Sequence, residues 1–117
     1  MIEQEVVNSI KRYLQTIPNL FYWKEHGGQF GTAGIPDIIV CYKGKFIAFE
    51  CKRPGGKPTV LQKITINKIA KASGIVKIVT SVEEVKQIIK RCMQDAVNLR
   101  ITLKADINEG ENWLQAH

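Results

Sequence analysis

Histidine and cysteine are scarce and scattered in this sequence: two histidines, His26 and His117, and three cysteines, Cys41, Cys51 and Cys92, with no CxxC pair and no histidine spacing beside them. This excludes a zinc-type centre, and an odd cysteine count argues against a disulfide framework, so reduced and mostly buried thiols are expected. Long apolar runs are missing too. No stretch approaches the roughly 20 residues of a membrane span, and the opening MIEQEVVNSIKRYL is charged and amphipathic, so a cytoplasmic location away from membranes is expected. The glycines of segment 27–34 have neither GxxxxGK nor GxGxxG spacing and lead into a strand, which speaks against a nucleotide cofactor.

Acidic residues are also in deficit. Seventeen lysines and arginines face 11 acids, leaving a net charge of +6, and the excess gathers at Lys43, Lys45, Lys52, Arg53, Lys57, Lys63, Lys68 and Lys71. Such a cluster suits a polyanionic partner, because neutralising phosphates releases counterions. A solvated lysine-rich helix face has the same composition.

What is present is the composition of an ordinary globular protein, 44% apolar and 24% charged over 117 residues, enough for one core. One domain is expected over 1–95, with 96–117 as its C-terminal extension. Val6, Ile10, Tyr13, Leu14 and Ile17 share one arc of a helix over 3–17, which Pro18 and Asn19 stop. Strands follow at 20–23, 38–42 and 45–52, the last two joined by Lys43-Gly44 as a hairpin. Thr59 caps a helix to about Ser73, closed by Gly74; 75–79 is a short strand, and strand, helix, strand predicts a parallel crossover. Ser81 and Glu84 form a capping box for a helix with Val85, Ile88, Ile89, Cys92 and Met93 on its apolar face. An edge strand at 99–103 and a turn at 108–110 precede a tail with Trp113 and Leu114. The order α-β-β-β-α-β-α describes an α/β protein with a mixed sheet flanked by helices.

The hairpin concentrates chemistry. A two-residue loop pairs Tyr42 with Lys45 and, counting down, sets Asp37 opposite Glu50, where Cβ atoms lie about 4.5–5.5 Å apart on one face. Phe46, Ala48, Glu50 and Lys52 share that face, while Ile47, Phe49 and Cys51 share the other. Two facing carboxylates repel unless a cation separates them, and hard divalent ions bound through oxygen are the natural candidates. Taken singly, each is equally a turn residue or a solvated ion-pair partner. Together they stand beside 38–40 and 47–49, runs typical of strands buried on both faces, so the three charges want a reason. Glu3 falls within the apolar arc of the first helix, and Gln62 among Leu61, Ile66 and Ile69; each equally suits a solvated or capping residue. Trp23 is expected in the core.

Glu3, Gly34-Ile35-Pro36-Asp37, Glu50-Cys51-Lys52 and Gln62 together resemble the PD-(D/E)XK nuclease superfamily, and within it the single-domain, phage-associated virus-type replication-repair (VRR-NUC) nucleases, over about residues 3–90. The resemblance implies a restriction-endonuclease-like core and a Mg²⁺- or Mn²⁺-dependent DNA endonuclease of the DNA-repair kind, acting on branched, flapped or four-way-junction DNA. It implies that Asp37, Glu50, the Cys51 carbonyl and Glu3 bind metal, that Lys52 orients the attacking water, and that Gln62 orients catalytic groups or touches nucleic acid. Lys24, His26, Thr32, Arg53, Lys57 and Lys63 are candidate DNA contacts. A homodimer is expected, since two scissile phosphates need two active sites. The competing reading is a non-catalytic nucleic-acid-binding module on the same scaffold, which has no need of a repelling carboxylate pair.

Overall fold

A computed structural model of the chain describes residues 2–26 and 34–109, with side chains as far as residue 103. Helix α1 (Glu3–Leu14) leads to strand β1 (Phe21–Lys24), the hairpin β2 (Ile38–Tyr42) and β3 (Lys45–Cys51), helix α2 (Val60–Lys71), strand β4 (Ile75–Val79) and helix α3 (Val82–Glu109). The class is α/β, with the four strands in one open mixed sheet of order β1-β2-β3-β4. β1 and β3 pair antiparallel with β2, and β4 runs parallel to β3, with α2 as the crossover a parallel pair requires.

Lys43 and Gly44 have φ values of 52° and 75°, the pair of left-handed residues that a two-residue primed turn demands. The register follows: Tyr42 opposes Lys45, Val40 opposes Ile47 and Ile38 opposes Phe49. One sheet face carries Ile38, Val40, Tyr42, Ile47, Phe49 and Cys51 into a core shared with Val6, Val7, Ile10 and Leu14 of α1 and Val85, Ile89 and Cys92 of α3. On the other face Ile39 and Ala48 are also buried, so both hairpin strands are covered on two sides at their centres. That second face receives α2.

α1 stops at Leu14 rather than running to 17, because Thr16 and Ile17 donate to Tyr13 and Leu14 in tighter turns before Asn19 takes φ of 60°. β1 lies one residue later than expected, since its bounds are set by its partners in β2, from Phe21 opposite Cys41 to Lys24 opposite Ile38. At the end of α2 the left-handed residue is Ser73, with φ of 70°. Gly74 has a different reason to be glycine: a Cβ there would stand 2.7 Å from Ile69 Cγ2 and 3.1 Å from Phe46.

The largest correction is at the C-terminal end. Instead of an edge strand at 99–103, α3 continues unbroken across the expected domain limit at 95 to Glu109, and so also replaces the first two residues of the expected turn. The Leu99, Ile101, Leu103 alternation mimics a strand. Yet Val85, Ile89, Cys92, Ala96, Leu99 and Leu103 keep a three-four rhythm, no glycine or proline interrupts 82–109, and an existing helix extends at little cost. Ser81 precedes the helix as expected, but Glu84 Oε1 accepts from Thr80, from its hydroxyl at 2.7 Å and its amide at 3.3 Å, so the carboxylate reaches one residue further back than in a capping box. Thr32, most of the glycine-rich segment and the tail with Trp113 and Leu114 lie outside the described residues. Among the described residues no helix is long and apolar enough to cross a membrane.

Candidate metal centre

Asp37 stands one step before β2 and continues its ladder. Its carbonyl accepts the Glu25 amide at 2.7 Å, and the β2–β3 ladder ends one step after it, at Ile38 opposite Phe49, so Asp37 and Glu50 are the next residues along the two strands. Glu50 lies near the end of β3 with only 2% of its surface exposed, and it is the one buried charged side chain among the described residues. α1 brings Glu3 to the same end of the sheet. Carboxylate oxygens of Glu3, Asp37 and Glu50 lie within 4.8 Å of one another.

Two ammonium groups face this acidic cluster. Lys52 Nζ lies 3.6 Å from Glu50 Oε1 and 3.9 Å from Glu3 Oε1, and Lys24 Nζ lies 3.8 Å from Asp37 Oδ1. Asp37 is fixed from its other side, because the Cys51 amide donates to its Oδ2 at 2.7 Å. Gln62, at the first turn of α2, donates from Nε2 to Glu50 Oε1 at 2.9 Å. Glu50 Oε2 has no hydrogen-bond partner although it is fully buried.

Burial raises the Glu50 carboxyl first, and the Asp37 carboxylate beside it adds to the effect, so that it is pushed up to about 8 despite the opposing pull of Lys52. The Cys51 thiol, on the core face, is pushed up to about 12 by burial and then by the neighbouring carboxylates. The Cys51 side chain lies in the core on the opposite sheet face, which leaves an all-oxygen donor set of side chains at the cluster. The orphaned buried Oε2 is the kind of atom that a cation satisfies, and three carboxylates fit Mg²⁺ or Mn²⁺ rather than a softer metal.

The structure therefore brings together Glu3, Asp37, Glu50, Lys52 and Gln62. Glu3 does so from a position whose side chain is 48% exposed, so its inward helical phase places it at the rim. Lys24 is an ion-pair partner of Asp37. His26, Arg53, Lys57 and Lys63 are exposed and make none of the contacts that hold the site together. Trp23 is a correction: it is 43% exposed beside the still more exposed Phe21 and donates from its indole nitrogen to Glu25 Oε2, because β1 is an edge strand whose Phe21 and Trp23 side is left open. Cys51 and Cys92 are buried as expected, whereas Cys41 is exposed. The Cys51 amide as an anchor for Asp37 was not legible in the sequence, although any residue after the second carboxylate in this register offers an N–H there.

Comparison with protein-family models gives no match, and neither does comparison with curated proteins.

Proposed function

We propose that this chain is a metal-dependent DNA endonuclease of the PD-(D/E)XK type, similar to the virus-type replication-repair nucleases, hydrolysing phosphodiester bonds in branched, flapped or four-way-junction DNA. The observation that carries the reading is the buried Glu50, which converges with Asp37 and Glu3 beside Lys52 and keeps one oxygen, Oε2, without a partner. A binding module gains nothing from that arrangement.

Asp37, Glu50 and Glu3 would hold Mg²⁺ or Mn²⁺, which supplies Lewis-acid polarisation of a phosphoryl oxygen and a water of lowered pKa. Lys52, held between Glu50 and Glu3, would orient an attacking water and offset charge on the phosphate as the water oxygen bonds to phosphorus, the water's proton passes to solvent, and the ester P–O bond breaks to release an alkoxide that takes a proton from solvent. The Cys51 amide and Gln62 each occupy one oxygen of a carboxylate, leaving the other oxygens to the ion. Exposed Arg53, Lys57 and Lys63, with Lys24 and His26, offer contacts to the DNA backbone.

Incubation with linear, nicked, flapped and four-way-junction DNA tests this. Cleavage is expected with Mg²⁺ or Mn²⁺, abolished by EDTA and by Asp37→Ala, and strongly reduced by Lys52→Ala. Equal cleavage by wild type and both variants would sink the assignment.

A further inference from the structure

Gln62 has two roles at once. Its Oε1 accepts the Thr59 amide at 2.8 Å while its Nε2 donates to Glu50 Oε1 at 2.9 Å, and the Thr59 hydroxyl accepts the Gln62 amide at 3.1 Å. The first and third of these bonds are the capping box of α2. A backbone N–H can only donate, so the group of Gln62 that faces Thr59 must be its carbonyl oxygen. The group facing Glu50 is then necessarily the NH₂. The cap therefore decides the sense of the amide. Were it reversed, a carbonyl dipole would confront a buried carboxylate, and Glu50 would lose a hydrogen bond to Oε1.

From this we infer that Thr59, which touches none of the three carboxylates, is a positioning residue for the metal centre, acting through Gln62. The inference rests on the metal-site reading above. Its physical content is a division of labour at Glu50: Oε1 is occupied by Gln62 and Lys52, and Oε2 is left bare for a cation. With the cap intact the carboxylate is held before the ion arrives, and outer-shell partners of this kind typically govern metal affinity by about tenfold or more.

Thr59 has φ of −72° and ψ of 167°, a conformation that proline adopts without strain, so Thr59→Pro removes the amide that fixes Gln62, together with the cap hydroxyl, while leaving the backbone path intact; Thr59→Ala, which removes the hydroxyl alone, is its control. Calorimetric titration of the full chain with Mn²⁺ alone reads the effect, with circular dichroism verifying the fold. Thr59→Pro is expected to weaken Mn²⁺ binding about tenfold, Thr59→Ser to bind like wild type, and Thr59→Pro to cause no further loss in a Gln62→Ala background. If Thr59→Pro fails to fold, an ester in place of the Pro58–Thr59 amide, which removes the Thr59 N–H and keeps its hydroxyl, carries the same cycle with Gln62→Ala. Unchanged affinity in the folded variant, or equal losses with and without Gln62, overturns the inference and leaves the metal site standing. Absence of Mn²⁺ binding by wild type overturns both.

Discussion

Replacing Glu50 by glutamine separates the cost of the buried charge from everything else in the protein. The neutral amide keeps the size of the side chain and an oxygen for Gln62 to donate to. In the metal-free wild type the Glu50 carboxyl is raised from 4.5 to about 8, so the folded state favours its protonated form. For a raised carboxyl, stability is fully present below the unfolded value and is lost as pH rises through the folded one. The window is thus pH 4.5 to 8, and at about 1.4 kcal/mol per pH unit wild type should lose about 2 kcal/mol relative to Glu50→Gln between pH 6 and pH 8. At about 4 °C per kcal/mol for a domain of this size, the melting temperatures should diverge by about 8 °C over that interval in EDTA. Scanning calorimetry at fixed ionic strength measures it, and comparison with the variant cancels the titrating groups remote from Glu50. Saturating Mg²⁺ at pH 8 should then raise wild type far more than the variant, since the ion takes the place of the proton. Parallel pH profiles for the two proteins in EDTA would refute the reasoning.

Lys52→Ala should cut cleavage by about 10²-fold or more while leaving Mn²⁺ affinity unchanged or tighter, because the ammonium that competes for Glu50 and Glu3 is gone; single-turnover kinetics and calorimetry together check this. Gly34 has φ of +82°, and a Cβ on it would stand 2.6 Å from Thr65 Oγ1 and 2.8 Å from the Leu61 carbonyl, so Gly34→Ala should lose about 2–4 kcal/mol in urea denaturation and loosen α2 over the site. Phe49→Ala empties the centre of the core and should cost about 3–5 kcal/mol by the same measurement, with unfolding at ambient temperature as the extreme outcome. DNA affinity should fall with salt, and Arg53→Ala and Lys57→Ala should each flatten the slope of log affinity against log salt by about one if they contact phosphate.

The hairpin was legible because its determinants are local. Lys43-Gly44 sets the turn, and the turn sets the register down to Ile38 opposite Phe49, which leaves Asp37 and Glu50 at neighbouring strand ends before any tertiary contact is known. Helical phase turned Glu3 and Gln62 toward the sheet but left each equally suited to a solvated or capping role, and Gln62 is both a cap and a partner of Glu50. What the pattern could not carry was direction at the level of single atoms. The Cys51 amide on Asp37, the ammonium of Lys24 on the same residue, and the amide sense of Gln62 depend on how three elements meet. The extent of α3 was misread for a different reason: Leu99 to Leu103 satisfies both a period of two and a period of 3.6, and only continuity with the buried residues upstream decides between them. Trp23 was misread because an aromatic in a strand says nothing of whether that strand ends up at an edge.

The central claim is that Glu50, Asp37 and Glu3 share one divalent cation. Anomalous diffraction from crystals soaked in Mn²⁺ tests it most directly. The account predicts a peak bonded to Glu50 Oε2 and to an Asp37 oxygen, with Gln62 still on Glu50 Oε1. Ordered Mn²⁺ found only elsewhere on the chain, with Lys52 and Lys24 still paired to bare carboxylates, would contradict it.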